Sequence, residues 1–222
     1  MVWHLDDGLW FPNPRWGEDD GLVAIGGDLS VDRLLLAYSN GFFPWYAFNM
    51  EREPHWYCPL ERFVIFPNEI HVSHSMRQLL HQHKYDVTVN QDFEGVINGC
   101  STAQGRDEEG GAWLGPDIIE AYTRLHRQGY AASIEVWEPT DNAMGRRLVG
   151  GLYGVTLLQC FFGESMFSLV PNASKLALIH LAKAMESIGG RLIDCQFETP
   201  LFVSMGGRHI SYERYMELLK NK

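Results

Sequence analysis

Hydrophobic and polar residues follow two different periods along this chain. Residues 31–39 carry an apolar face at helical spacing. The preceding run Gly26-Gly-Asp-Leu-Ser30 supplies a turn and a Ser30 N-cap, and Gly41 ends the helix. On either side, up to about Pro59, the segment is rich in Trp, Pro and Gly. Its clusters Gly41-Phe-Phe-Pro-Trp45 and His55-Trp-Tyr-Cys-Pro59 are kept irregular by proline. From Glu61 the periods alternate. The pattern predicts a strand over 63–66, a helix over 73–83, a strand over 86–89 and a short helix over 91–98. A further helix opens at Pro116 and closes at Gly129. Strands over 132–137, 147–155 and 156–162 come next, with a hairpin loop over 139–144. Asn172 or Ser174 caps a helix running to Ser187, Gly189-Gly190 ends it, and a last core strand occupies 191–197. A meander, a helix and a returning strand imply a mixed sheet with helices packed on it, an α/β (α+β type) fold. The change of pattern divides the chain into a small N-terminal domain, 1–60, and a larger one, 61–222.

Polar residues interrupt two of these apolar strands. In Arg191-Leu-Ile-Asp-Cys-Gln-Phe197 a period of two puts Leu192, Asp194 and Gln196 on one face and Ile193, Cys195 and Phe197 on the other. A carboxylate buried there must be paired, neutralised or open to a cleft. The strand Leu157-Leu-Gln-Cys-Phe-Phe-Gly-Glu-Ser-Met-Phe-Ser168 has the same oddity, its apolar part ending at Gly163 and Glu164. A single Asp in a strand is more often a satisfied structural group. A second acid, beside a glycine that can relax the backbone into a bulge, moves the reading toward an active site.

With 222 residues the chain is long enough for a substantial core, and its 45% hydrophobic and 21% charged residues fit an ordinary globular protein. No apolar run is long enough to span a bilayer, and the start lacks the pattern of a signal peptide, so a cytoplasmic protein is expected. Cys58, Cys100, Cys160 and Cys195 are too scattered for a disulfide framework or a zinc site and read as reduced core thiols. A formal net charge of −10 argues against a generally basic nucleic-acid binder, so any RNA contact must be local.

Several chemistries fail on spacing. Gly163-Glu-Ser-Met-Phe167 lacks the last glycine of a hydrolase nucleophile elbow. No pyrophosphate-cradling run suited to CoA is present, nor a P-loop, a dinucleotide fingerprint or a His-Glu-x-x-His motif, so no cofactor, CoA or metal is expected.

An ordered set of motifs nevertheless spans nearly the whole chain: Gly21-Leu-Val-Ala-Ile-Gly-Gly-Asp-Leu-Ser30, Gly41-Phe-Phe-Pro-Trp45, Ser133-Ile-Glu-Val-Trp137, Val149-Gly-Gly-Leu-Tyr-Gly-Val155, Gly163-Glu-Ser-Met-Phe-Ser168, Asn172-Ala-Ser-Lys175 and Leu192-Ile-Asp-Cys-Gln196. In that order they resemble the leucyl/phenylalanyl-tRNA–protein transferase family. The resemblance implies an enzyme that moves Leu or Phe, and also Met, from aminoacyl-tRNA to a protein beginning with Arg or Lys, marking it for degradation by the N-end rule pathway. It also implies a catalytic domain of the GNAT acetyltransferase type behind the small N-terminal domain. Aminolysis of an aminoacyl ester is downhill, which agrees with the lack of nucleotide, metal and CoA motifs.

By the same resemblance, Asp194 orients and polarises Gln196, whose side-chain oxygen meets the attacking amine, and Glu164 binds an ammonium group nearby. The backbone around Gly163 contacts the acyl group. Leu152, Phe161, Met166, Leu178, Leu181, Met185 and Ile193 form the aminoacyl pocket. Trp45 and Trp113 hold the 3′-terminal adenosine, and Arg77 and Lys84 meet the tRNA acceptor stem. From the residues alone the seven apolar positions read as core, the 73–84 helix as a solvated face, and Asp194 with Gln196 as an internal hydrogen-bonded pair. Two other functions stand beside transfer to proteins: a non-catalytic module binding the 3′ end of aminoacyl-tRNA, and a related peptidyltransferase acting on a cell-wall precursor.

Overall fold

Four short strands and one helix open the chain: β1 (Trp3–Leu5), β2 (Leu22–Gly26), α1 (Val31–Ser39), β3 (Phe43–Trp45) and β4 (His55–Tyr57). They belong to a computed structural model that describes residues 1–45, 53–102, 114–141 and 145–220. The strands pair in the order β1-β2-β4-β3, a sheet that the proline-broken aromatic pattern did not predict. Pro44 is tolerated because β3 lies at the edge, where a missing N–H breaks no ladder. The first helix is as expected: the Ser30 hydroxyl accepts the Arg33 N–H, and Gly41 takes a φ of +84° just past the end. Gly41 also has little room for a side chain, since a Cβ there would lie 3.1 Å from the Tyr215 ring.

Next come β5 (Glu61–Ile65), α2 (His74–Gln82), β6 (Asp86–Val89), α3 (Phe93–Thr102), α4 (Pro116–Arg127), β7 (Ala131–Pro139), β8 (Arg146–Leu157), β9 (Cys160–Ser168), α5 (Ala173–Ser187), β10 (Leu192–Asp194), α6 (Pro200–Ser204), β11 (Arg208–Ser211) and α7 (Tyr212–Lys220). The strands form a mixed sheet in the order β11-β5-β10-β9-β8-β7-β6. Neighbours run antiparallel except β9 and β10, which are parallel and joined through α5. This is the mixed α/β architecture that the pattern implied.

Several boundaries differ from expectation, and the two that bear on the site do so for local reasons. The β8–β9 turn falls at Leu158 and Gln159, with φ of +54° and +62°, so β9 starts at Cys160 and continues through Glu164 to Ser168. A two-residue turn with both φ values positive favours Asn and Gly. Leu158 and Gln159 give no such signal. The last core strand stops at Asp194 instead of Phe197, because Gln196 turns left-handed at φ +58°.

Side chains alternate across the larger sheet into two apolar clusters. One lies under α5 and includes Ile134, Val149, Leu152, Phe161, Leu178 and Ile193. The other lies under α3 and α4, with Val96, Ile118, Val155, Phe162 and Leu192, and continues into the first sheet through Val23 and Trp56. Among the described residues, no helix is long and apolar enough to cross a membrane.

Candidate active site

Glu164 stands out from its strand because of a β-bulge. Tyr153 pairs with Ser165 and Gly154 with Gly163, which leaves Glu164 as the extra residue. Close backbone approach demands glycine at position 154, where a Cβ would lie 2.1 Å from the Phe162 carbonyl oxygen. The Glu164 carboxyl meets two tyrosines that no sequence motif flagged. Tyr38 of α1 donates to Oε1 at 2.6 Å and Tyr122 of α4 to Oε2 at 2.9 Å, and the two hydroxyl oxygens are 2.5 Å apart. Three oxygen-to-oxygen contacts need three protons. The tyrosines bring two, so a neutral carboxyl can complete the ring, one tyrosine then accepting from the carboxyl and donating to the other, whereas an ionised carboxyl accepts from both and leaves the contact between the hydroxyls with no hydrogen in it. Burial pushes the Glu164 carboxyl up to about 7, against the downward pull of the two tyrosine hydroxyls. Burial also drives both tyrosines well above their ordinary range, so they stay neutral donors.

A second irregularity sits across from the first. Beyond β10 the chain still follows β5, but Cys195 N–H bonds to the Phe63 carbonyl and Phe63 N–H to the Gln196 carbonyl, at 2.9 and 3.3 Å. Two residues thus face one, another bulge. A left-handed non-glycine residue costs roughly 1–2 kcal/mol. Here the Asp194 carboxylate offsets that cost, its Oδ1 accepting the Gln196 backbone N–H at 2.9 Å. The turn overturns the expected shared face. Asp194 points to the α7 side, where Tyr215 donates to Oδ2 at 2.6 Å and Arg62 Nε lies 3.2 Å away, while Gln196 joins Ile193 and Cys195 on the other side. Asp194, Arg62 and Tyr215 are each buried.

The parallel pair β9 and β10 parts after Phe162 and Asp194, the last residues in register. A cavity of about 340 Å³ opens there. Leu152, Phe161, Met166, Leu178, Leu181 and Ile193 line it, and Gly163, Glu164, Ser165 and Gln196 bring polar atoms. Trp45 stands at its wall, its ring 5.4 Å from that of Phe197 and 5.8 Å from that of Tyr57. Cys195 also lines it, but burial drives its thiol well above the ordinary range, so it is no ready nucleophile. Among the described residues no group of three His, Cys, Asp or Glu side chains could hold a metal ion.

Residues 64–220 match the family described as leucyl/phenylalanyl-tRNA protein transferase, and residues 27–60 match that family's N-terminal domain. The chain belongs to this family. A leucyl/phenylalanyl-tRNA–protein transferase of Syntrophobacter fumaroxidans is 45% identical over 98% of this chain and 89% of its own. One of Flavobacterium johnsoniae is 43% identical over the full length of both chains. The solved structure of L-PGS from Bacillus licheniformis covers 80% of this chain at 13% identity and a TM-score of 0.43, and the match spans only 54% of its own length. That likeness is too low to carry an argument. Family membership makes the protein an aminoacyltransferase.

Set against this transferase family, the remaining expected site residues are scattered. Met185 lies in the α5 cluster, packed toward Gly190, and is absent from the cavity lining. Trp113 falls outside the described residues. Arg77 lines a separate open cavity with Glu69, His71, His81 and Lys183, and Lys84 lies 3.9 Å from Glu138 on β7. The cavity and its surroundings also include residues that sequence reasoning passed over. Phe43, Pro44, Phe197, Thr199 and Phe202 complete the cavity wall. Arg62 was missed because it sits in a short strand whose apolar neighbours Phe63, Val64 and Ile65 read as plain core. Nothing in the sequence joins Arg62 to the distant Asp194; the pair is brought together only by the register of β5 and β10.

Proposed function

We propose that the chain transfers Leu, Phe or Met from aminoacyl-tRNA to the N-terminal Arg or Lys of an acceptor protein. On this reading a GNAT-type catalytic domain, 61–222, works with the small domain 1–60, in the cytoplasm, to mark the acceptor for degradation by the N-end rule pathway. The observation that carries the reading is the apolar cavity at the parting of β9 and β10, with Glu164 and Gln196 at its polar end and Trp45 in its wall. Its volume lies near the lower bound of small-ligand sites, roughly 300–1,000 Å³, which suits one amino-acid side chain.

In the proposed reaction the acceptor's α-amine nitrogen attacks the ester carbonyl carbon. The C–N bond forms, the bond to the 3′ ribose oxygen breaks, the nitrogen gives up a proton and the ribose oxygen gains one. No redox step or nucleotide is involved. Alignment of two substrates is the largest contribution asked of the protein, since well-oriented groups reach effective molarities on the order of 10⁵ M or more. The side-chain oxygen of Gln196 accepts a hydrogen bond from the amine and fixes its line of attack. An amide is too weak a base to do more. Glu164 binds an ammonium group, and a carboxyl held near 7 can both take and release a proton at neutral pH. The backbone at Gly163 faces the acyl oxygen. Trp45 and Trp113 stack the terminal adenosine, a task for which flat aromatic faces are suited, and Arg77 and Lys84 meet acceptor-stem phosphates.

A transfer assay with charged tRNAs and an Arg-starting peptide tests this. Gln196→Ala should lower kcat at least about tenfold, the usual scale for a positioned proton acceptor, with aminoacyl-tRNA binding retained. Parent activity in that variant would overturn the role of Gln196, and transfer to a cell-wall precursor in place of the peptide would overturn the acceptor class.

A further inference from the structure

Among the described residues Asp194 does not line the cavity, yet it links two other elements, α7 and β5, to the turn that enters it. Its Oδ1 accepts the main-chain N–H of Gln196, and its Oδ2 takes the Tyr215 hydroxyl from α7 at 2.6 Å and faces Arg62 Nε of β5 at 3.2 Å. No hydrogen bond runs from Asp194 to the Gln196 side-chain amide among the described residues, so the link between them is through the backbone. Arg62 is itself fixed on several sides. Its Nη2 donates to the Gly41 carbonyl and, at 3.2 Å, to the Tyr215 hydroxyl, and its guanidinium lies between the rings of Phe43 and Tyr215, 4.9 and 4.6 Å from their centroids. The Nε and Nη1 atoms of Arg62 have no well-aligned hydrogen-bond partner, so Arg62 Nε meets Asp194 as a charge and the Tyr215 hydroxyl carries the directional bond. A network of this kind, wholly buried, stands behind a single left-handed residue.

We propose that Arg62 and Tyr215 are positioning residues for aminoacyl transfer, holding Asp194 so that its other oxygen clamps the left-handed backbone of Gln196 and keeps that side chain in the cavity. The inference rests on the reading of Gln196 given above. It assigns Asp194 the role of a fixed anion gripping a main-chain N–H. Without the grip, residue 196 relaxes toward ordinary strand geometry, and a period of two carries its side chain to the Asp194 face, away from the ester.

Tyr215→Phe removes one hydroxyl and keeps the ring that flanks Arg62, and Arg62→Lys keeps the charge that Asp194 needs. For both variants the expected result is a fall in kcat of about tenfold or more, the scale of a small misplacement of a reacting group, with KM for aminoacyl-tRNA nearly unchanged. Amide hydrogen exchange at Gln196 should speed up by a similar factor while exchange in α5 and β9 stays at the parent level. Tyr215→Phe added to Gln196→Ala should cost no further rate, since both act through one group. Parent kcat and parent exchange at Gln196 in Tyr215→Phe would overturn the positioning role alone. Equal loss of protection throughout the chain, or multiplicative effects with Gln196→Ala, would reduce the network to a stabilising one. Parent activity in Gln196→Ala itself would overturn the earlier reading together with this one.

Discussion

Glu164→Gln isolates the consequence of the hydroxyl ring, because an amide keeps the shape and can both donate and accept, but does not titrate. Between its ordinary value of 4.5 and its folded value of about 7, the parent carboxyl is protonated in the folded chain and ionised in the unfolded one. The folded state therefore binds more protons in that window, and the free energy of unfolding must fall as pH rises. Each pH unit is worth about 1.36 kcal/mol, so the parent should lose about 3 kcal/mol relative to the variant between pH 4.5 and 7, with flat behaviour on either side. Urea unfolding of both proteins at half-unit steps from pH 4 to pH 8 reads this directly, and the comparison cancels carboxylates such as Glu69 and Asp28, whose values are lowered in the fold. A parent-minus-variant difference that stays constant across the range, or that grows with pH, would refute the argument that burial outweighs the tyrosine hydrogen bonds. Transfer kinetics add a second reading. If Glu164 binds ammonium as a carboxylate, kcat/KM should rise through the same window in the parent and lose that limb in the variant.

Binding of tRNA should weaken steeply with salt in spite of the net charge of −10, because every phosphate contact releases counterions. Arg77→Ala should flatten that slope more than Lys84→Ala, since Lys84 already faces Glu138; unchanged slopes in both would make α2 a solvated face. Leu181→Trp should depress Phe transfer by at least about tenfold and Leu transfer less, because a filled wall takes depth from the larger ring, and the scale is that of a methylene-sized misfit or more. Val should be transferred more slowly than Leu, since a branch at Cβ crowds the ester near Gln196. Equal use of Val and Leu, or undiminished Phe transfer in Leu181→Trp, would leave the cavity walls as core.

The sequence made the site's two polar positions legible and hid the geometry that presents them. Glu164 and Asp194 were visible because charges inside apolar strands violate the expected pattern, and Gly163 suggested a bulge that the register of β8 and β9 contains. Periodicity failed where the backbone left its regular form. A strict period of two placed Asp194 and Gln196 on one face, and the left-handed turn at residue 196 separates them. No composition rule announces that turn, because Gln is not a residue that favours positive φ. Six cavity residues looked like core from sequence, and physically they are core residues that happen to border a gap between parting strands. Tyr38, Tyr122 and Tyr215 lie on amphipathic helices among buried apolar residues such as Leu34, Ile118 and Leu219, where an aromatic ring reads as core. Only their hydroxyl partners, far away in sequence, set them apart.

The buried guanidinium of Arg62 has a kinetic consequence as well as a geometric one. It meets the Gly41 carbonyl across 21 residues and the Tyr215 hydroxyl across 153, so its surroundings assemble from stretches near both ends of the described chain. The Tyr215 contact closes a large loop, and closure at such separations is expected to follow local helices and hairpins such as β8–β9. A chain whose α7 has not docked would lack the Tyr215 hydroxyl that holds Asp194. On the positioning role proposed for Arg62 and Tyr215, competence for transfer requires α7 to be docked, which ties activity to completion of the fold.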